Sequence, residues 1–340
     1  MALLRRTPRS GGALEVPAAR SRPLRITNDG VLQLAARLPR PAHWVLAGGG
    51  AHGAVQWGTL QAVRETDLTP DALVGTSAGA LTGAMIAEDP VAAVTRLGYL
   101  WSSMDLTDII PDGWLGLVRP TNITKSSLAD SAGERATLER VFQARDFDDL
   151  VLPLAAVATD LDSGQPTALD NGSLLDSLLA SSAIPGVFPP VEINGRYYVD
   201  GLASANLPAA VAVTRGAASI LVFDTGTSAE RNVGPSLAQV VPAINAMLAA
   251  QQRSTSLRAA AEQVPVVYLP TPGGLAGSLD FAGSVTTARS AYELAQAFLI
   301  DLHALAGDGT LPPGLYARPD AFATEVPGLD DVLRAVVDHS

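Results

Sequence analysis

Two glycine-rich motifs and one acidic turn hold the residues of this chain that could do covalent chemistry. Gly75-Thr76-Ser77-Ala78-Gly79 fits G-x-S-x-G. In a nucleophile elbow of that pattern the serine occupies a strained turn, and the flanking glycines remove side chains that would clash. The Ser77 hydroxyl would then project above a sheet, with the backbone N–H of Ala78 facing the same space as an oxyanion donor. Upstream, Gly48-Gly49-Gly50-Ala51-His52-Gly53 lets the backbone turn tightly and aim successive N–H groups outward at a helix N-terminus, an anion cradle. The same hexamer satisfies G-x-G-x-x-G, so a dinucleotide site competes with it, as does a plain strand-to-helix turn. A ribose-binding acid should end the second strand of such a site. Asp67 and Asp71 both precede that strand instead.

A serine hydroxyl is a poor nucleophile until something takes its proton. The chain has four histidines, His43, His52, His303 and His339. A hydrolase triad in the order Ser, Asp, His leaves only the last two. His303 falls in an apparent helix, Ala295–Ala306, and His339 is the penultimate residue, where termini fray. His52, inside the glycine loop, is expected to be solvated. The other available base is a carboxylate, Asp200, in Tyr197-Tyr198-Val199-Asp200-Gly201-Leu202 at the end of a strand-like run. Asp-Gly is equally a turn former. An aspartate of pKa ~3.9 cannot hold a serine proton at equilibrium, yet it need only accept it as the bond forms, and a dry pocket raises its pKa toward a better match.

Short apolar runs bounded by Gly, Asp or Pro position these groups: His43–Ala47, Ala72–Gly75, Leu154–Thr159, Ser219–Asp224 and Val264–Leu269 are predicted strands. Helices are predicted over Gly53–Arg64, Ala78–Ala87, Val91–Met104, Glu134–Gln143, Leu174–Ser181, Leu207–Arg215 and Ser236–Gln263. Nearly continuous apolar strands between helices imply a mainly parallel sheet covered on both faces. Glu192–Tyr198 alternates around Asn194-Gly195, a hairpin signal. The stretch Thr107–Ser131 is irregular, with Pro111, Gly113, Trp114, Gly116 and Pro120, and reads as an insertion or lid. Trp101, Met104, Ile109, Ile110, Trp114, Leu115 and Leu117 could line an acyl channel, face lipid, or serve as ordinary core.

At 340 residues, 47% hydrophobic and 17% charged, the chain can bury a real core as one large domain or two modest ones. It has no cysteine, which excludes disulfides, Cys-ligated metals and thiol nucleophiles. With so few histidines no metal site is expected. The net charge is −11, unevenly spread: residues 1–40 hold eight arginines against Glu15 and Asp29. The acidic remainder should repel a phosphate backbone, so no nucleic-acid partner is expected. Met1 to Leu4 gives way at once to Arg5 and Arg6, unlike a secretory signal, and no apolar run reaches the ~18 residues of a membrane span. A cytoplasmic protein is expected, with the basic arm available for peripheral contact with anionic lipid.

The glycine loop, the elbow and the downstream Asp-Gly, without a well-placed histidine, together resemble the patatin-like phospholipase family. Val157-Ala158-Thr159-Asp160-Leu161, Ala183-Ile184-Pro185-Gly186-Val187-Phe188-Pro189-Pro190 and Asn206-Leu207-Pro208 are similar too, in the family's order over about residues 42–225. The resemblance implies a three-layer α/β/α sandwich and a lipid acyl hydrolase of the phospholipase A or lysophospholipase type, acting on lipid esters without a cofactor. It implies Ser77 as nucleophile, Asp200 as general base, and Gly48, Gly49, Gly50 and Ala78 as oxyanion donors. Gly53, Gly75, Gly79 and Gly201 complete the motifs. It divides the chain into a flexible basic arm at 1–41, a catalytic core at 42–225 and a completion of the same domain at 226–340. Two positions depart from the family: His52 stands where Arg or Lys is usual, and Leu202 where Gly or Ala is commoner. A non-catalytic lipid- or anion-binding module and a dinucleotide-dependent oxidoreductase are the alternatives in other classes.

Overall fold

A computed structural model describes residues 31–104, 131–226, 237–275, 280–307, 309–319, 329 and 331–336. The arm before residue 31, most of the insertion and His339 lie outside them. The chain runs β1 (Ala42–Leu46), α1 (Gly53–Val63), β2 (Ala72–Thr76), α2 (Ala78–Glu88), α3 (Ala93–Ser103), α4 (Ala132–Val141), β3 (Leu154–Asp160), β4 (Pro166–Leu169) and α5 (Leu174–Ser182). It continues through β5 (Val191–Ile193), β6 (Arg196–Asp200), α6 (Ala209–Thr214), β7 (Ser219–Phe223), α7 (Leu237–Ala261), β8 (Pro265–Tyr268), α8 (Ser284–Ala306), β9 (Gly314–Ala317) and β10 (Leu333–Ala335).

One sheet of ten strands, in the order β10-β9-β8-β7-β1-β2-β3-β6-β5 with β4 beside β3, organises the whole. The strands from β10 to β3 pair in parallel, and β4, β5 and β6 form an antiparallel margin. The apolar strands divide their side chains by parity. Trp44, Leu46, Leu73, Ala156, Leu221 and Phe223 face one core, shared with α1, α2, α3, α5 and α8. Val45, Val74, Ala155, Val157, Ile220 and Val222 face the other, shared with α6 and α7. A strand buried on both faces needs no polar alternation, and the three-layer α/β/α architecture follows.

One local feature differs from the sequence reading. Residues 31–41, grouped with the arm by their charge, are packed: Leu34 and Leu38 are buried in the larger core, and Asp67 accepts the Leu34 and Ala35 N–H groups at 2.6 and 2.7 Å. Of the alternatives open for Trp101 the core is the one observed, with its ring stacked on Phe281 at a centroid distance of 6.4 Å.

Helix α8 crosses α1 at Gly58, where a Cβ would stand 1.9 Å from the Ala288 carbonyl oxygen. Backbone cannot yield as a side-chain tip can, so Gly58→Ala must force the helices apart. We expect a loss of about 2–3 kcal/mol, read as a lowered midpoint in thermal or urea unfolding.

Candidate active site

Strand β2 ends on Ser77, whose φ of 55° and ψ of −124° make it one of two non-glycine residues with positive φ among the described residues, Asn194 of the hairpin turn being the other. Such strain is held only where the surroundings over-determine it. Here they do. A Cβ on Gly75 would stand 2.4 Å from the Gly79 carbonyl oxygen, and one on Gly79 would stand 2.2 Å from that of Leu46. The two flanking glycines therefore serve close backbone approach on either side of the turn. The Ser77 carbonyl accepts the Ala80 and Leu81 N–H groups at 2.8 and 3.1 Å, starting α2. Its own N–H donates to Ser181 Oγ at 2.9 Å, and Ser181 donates in turn to the Val157 carbonyl at 2.7 Å. Ala78 opens the helix, so no intrahelical carbonyl can accept its N–H.

Strand β6 brings Asp200 to the same place. Its carboxylate is 1% exposed; Oδ1 accepts the Leu202 N–H at 2.8 Å, and the Ser77 hydroxyl is near enough to offer it a second hydrogen bond. Burial pushes its pKa up to about 7, against the pull of these two hydrogen bonds. Its backbone N–H donates to the Ala183 carbonyl at 2.9 Å. Gly201 is required because a Cβ would meet the Val157 carbonyl oxygen at 2.5 Å, a packing reason beyond turn formation.

The glycine loop closes the site from β1. Gly48 lies beside Ser77, since a Cβ there would be 3.2 Å from Ser77 Cβ. Its N–H, however, donates to the Asn206 carbonyl at 2.9 Å. Gly48 is thus corrected from oxyanion donor to loop anchor: its amide extends the backbone pairing of β1 and is already committed. Its carbonyl accepts Thr225 Oγ1 at 2.7 Å and Asn206 Nδ2 at 3.2 Å. In a trans peptide the next N–H points the opposite way, which turns the Gly49 amide away from those two side chains. Gly50, at φ 56°, opens the short 3-10 turn Gly50–His52 that feeds α1, and its N–H lies in a first turn like that of Ala78. Gly53 packs against Trp101, where a Cβ would stand 2.1 Å from the indole ring.

The remaining candidate bases are occupied elsewhere or lie apart. His52 is buried, contrary to the solvated loop residue expected, because the 3-10 turn folds it inward. His43 lies within β1, and burial, aided by Arg215 and opposed by Asp71, holds its pKa below the ordinary value. His303 is on α8, with Nδ1 unpartnered, and makes no hydrogen bond to Ser77 or Asp200. The acids weighed for ribose binding are engaged as well. Asp67 caps residues 34 and 35, and Asp71 pairs with Arg40 at 2.5 Å and accepts the Ala42 N–H at 2.6 Å. Among the described residues no cluster of three or more His, Cys, Asp or Glu could hold a metal.

Of the residues that brace the site, sequence reasoning quoted Asn206 only as part of a similar stretch and missed Ser181 and Thr225. Ser181, Asn206 and Thr225 each reach a motif residue across at least a hundred positions of chain. Beneath Thr225 lies a buried ion pair, Asp224 with Arg253 at 2.7 Å, to which Tyr268 adds its hydroxyl.

The family model for patatin-like phospholipase matches residues 44–213. The rat patatin-like phospholipase domain-containing protein 7 is 31% identical over 191 residues, 56% of this chain and 14% of its own length. The Drosophila melanogaster neuropathy target esterase sws is 31% identical over 186 residues, 54% of this chain and 13% of its own. This chain thus spans about one seventh of such relatives. Among solved structures, VipD from Legionella pneumophila aligns with a TM-score of 0.44 at 15% identity, covering 78% of this chain and 67% of its own. With half of its residues matched by the family model, the chain belongs to the patatin-like phospholipase family.

Proposed function

We propose that this chain is a serine hydrolase that cleaves acyl ester bonds of lipids through a Ser77–Asp200 dyad and an acyl-serine intermediate. The observation that carries the reading is the Ser77 hydroxyl set within reach of a fully buried carboxylate whose pKa stands near 7, beside the backbone amides of Gly49 and Gly50. A base poised near the working pH is what proton transfer from an alcohol requires.

The ionised Asp200 takes the Ser77 proton as Oγ attacks the ester carbonyl. The oxyanion so formed accepts the N–H groups of Gly49, Gly50 and Ala78, each well-placed donor supplying ~2.7–4 kcal/mol. Collapse of the intermediate expels the alcohol, which leaves with the proton held on Asp200. Water then attacks the acyl-serine, gives its proton to Asp200, and releases the fatty acid as Ser77 is restored. The reaction as written needs no metal or organic cofactor. Family membership supports lipid esters as substrates. No described helix is long and apolar enough to cross a membrane, and the eight arginines of residues 1–40 would favour anionic headgroups.

The test is a fluorophosphonate trap on the full chain, with the adduct located by peptide mass spectrometry, alongside fatty-acid release from p-nitrophenyl esters and phosphatidylcholine vesicles. An adduct on Ser77 with release of fatty acid is expected. A chain that neither turns over nor labels would overturn the reading in favour of a binding module.

A further inference from the structure

The last turn of α5 holds both members of the dyad by their main chain. Ser181 Oγ accepts the Ser77 N–H, and the Ala183 carbonyl accepts the Asp200 N–H, both at 2.9 Å. Between them, Ser182 turns its hydroxyl toward α4, with Oγ 2.5 Å from Glu134 Oε1 and 2.7 Å from the Leu178 carbonyl. A hydroxyl has one proton to give, and two acceptors face it if Glu134 is ionised. A proton on Glu134 resolves the conflict: the acid donates to Ser182, and Ser182 donates to Leu178.

We propose that Glu134 is a positioning residue for the dyad, held as a neutral carboxylic acid that donates to Ser182 and fixes the α5 turn on which Ser77 and Asp200 both hang. This rests on the hydrolase reading above. Glu134 is 8% exposed and Oε2 has no hydrogen-bond partner, surroundings that disfavour a charge. Burial pushes its pKa up to about 8, the Ser182 hydroxyl opposing and the Asp200 charge adding to the rise. The ionisable groups on the packed elements leave it unpaired. On α5, Asp176 is engaged by Arg135 of α4 at 2.5 Å. On β6, Arg196 reaches Asp160 at 2.9 Å, and Asp200 is the anion whose field Glu134 feels. The other charges of α4, Glu139 and Arg140, are exposed on its outer face. Among the described residues no cation pairs with Glu134. Ionisation would therefore remove the donated proton and set a second negative charge near Asp200 and the forming oxyanion.

The experiment measures the rate of fluorophosphonate labelling of the full chain across about pH 6 to 10, for wild type, Glu134→Gln and Ser182→Ala, with thermal midpoints for each. Wild type is expected to gain reactivity near neutrality and lose it above about pH 8, by up to tenfold per unit. The Gln amide can donate to Ser182 and cannot ionise, so Glu134→Gln should lack the alkaline fall and exceed wild type about tenfold one unit above that pH. Ser182→Ala breaks the link and should label about tenfold more slowly at neutral pH with its fold intact. An alkaline limb in Glu134→Gln that matches wild type overturns the proposal. If that variant does not fold, a Ser182→Ala chain labelling at the wild-type rate overturns it instead. Wild type that never labels defeats the hydrolase reading itself, whereas wild type that labels while both variants track it defeats only the role of Glu134.

Discussion

Ser77→Ala should leave less than about one ten-thousandth of wild-type kcat/KM on a p-nitrophenyl ester and abolish fluorophosphonate labelling, with little change in thermal midpoint. The loss is that large because the proposed mechanism has a single nucleophile, and what would survive is the pull of nearby backbone amides on attack by water. The fold tolerates the change for a specific reason. The strain at φ 55° arises from Cβ and backbone, which alanine shares with serine, and the bond from the residue 77 N–H to Ser181 Oγ uses no side-chain atom of residue 77. Stability should stay within about 1 kcal/mol. Residual activity above a hundredth of wild type would mean a second nucleophile and would remove Ser77 from the mechanism.

Asp200→Asn should cost about 10³–10⁴-fold in kcat, the contribution of a general base, and at the same time stabilise the protein. The sign follows from linkage. The folded-state pKa of about 7 lies above the ordinary value of 3.8, so the native state binds this proton more tightly than the unfolded chain. Below about pH 4 both states are protonated and wild type keeps its full stability. As pH rises toward 7 the unfolded chain alone gives up the proton, and stability is lost, by up to about 4 kcal/mol for a shift of some three units. Asparagine carries no such penalty and keeps an oxygen for the Leu202 N–H. The variant's melting advantage should therefore be absent in acid, grow between about pH 4 and 7, and level off above. An inactive variant with no stability gain would show that Asp200 is not desolvated in solution. A fully active one would return attention to His303 and His339.

The strand–turn–helix around Ser77 was legible because its signal is local: an apolar strand, Gly75 and Gly79 two residues either side of Ser77, and a helix. The strand parity was legible too, since runs such as Trp44–Ala47 have no polar residue to spare for a wet face. The margins were not. Strands β4, β9 and β10 are three or four residues long, too short to show a period, and depend on a neighbour already in place. The bracing residues share another kind of invisibility. Ser181 and Ser182 close a helix that also carries Asp176 and Ser177, and Thr225 follows a buried Asp224, yet nothing near them in the chain names a partner 104 or 177 positions away. Three consecutive glycines likewise announce an amide-rich loop without saying which amide is already taken. Gly48 is the case in point, because the Asn206 carbonyl that takes its amide lies 158 positions away along the chain.

The strand order carries a consequence for any attempt to shorten the protein. The family model's match ends at residue 213, but β1, which launches the glycine loop, is paired along its full length with β7 at 219–223. A piece cut at the limit of resemblance would bare the edge of its own central strand, a template for aggregation, and would strip α8 from α1. It would also lose Thr225, one of the two side chains gripping the Gly48 carbonyl. The stretch that the family model matches and the stretch that completes the sheet around β1 are thus different lengths of this chain.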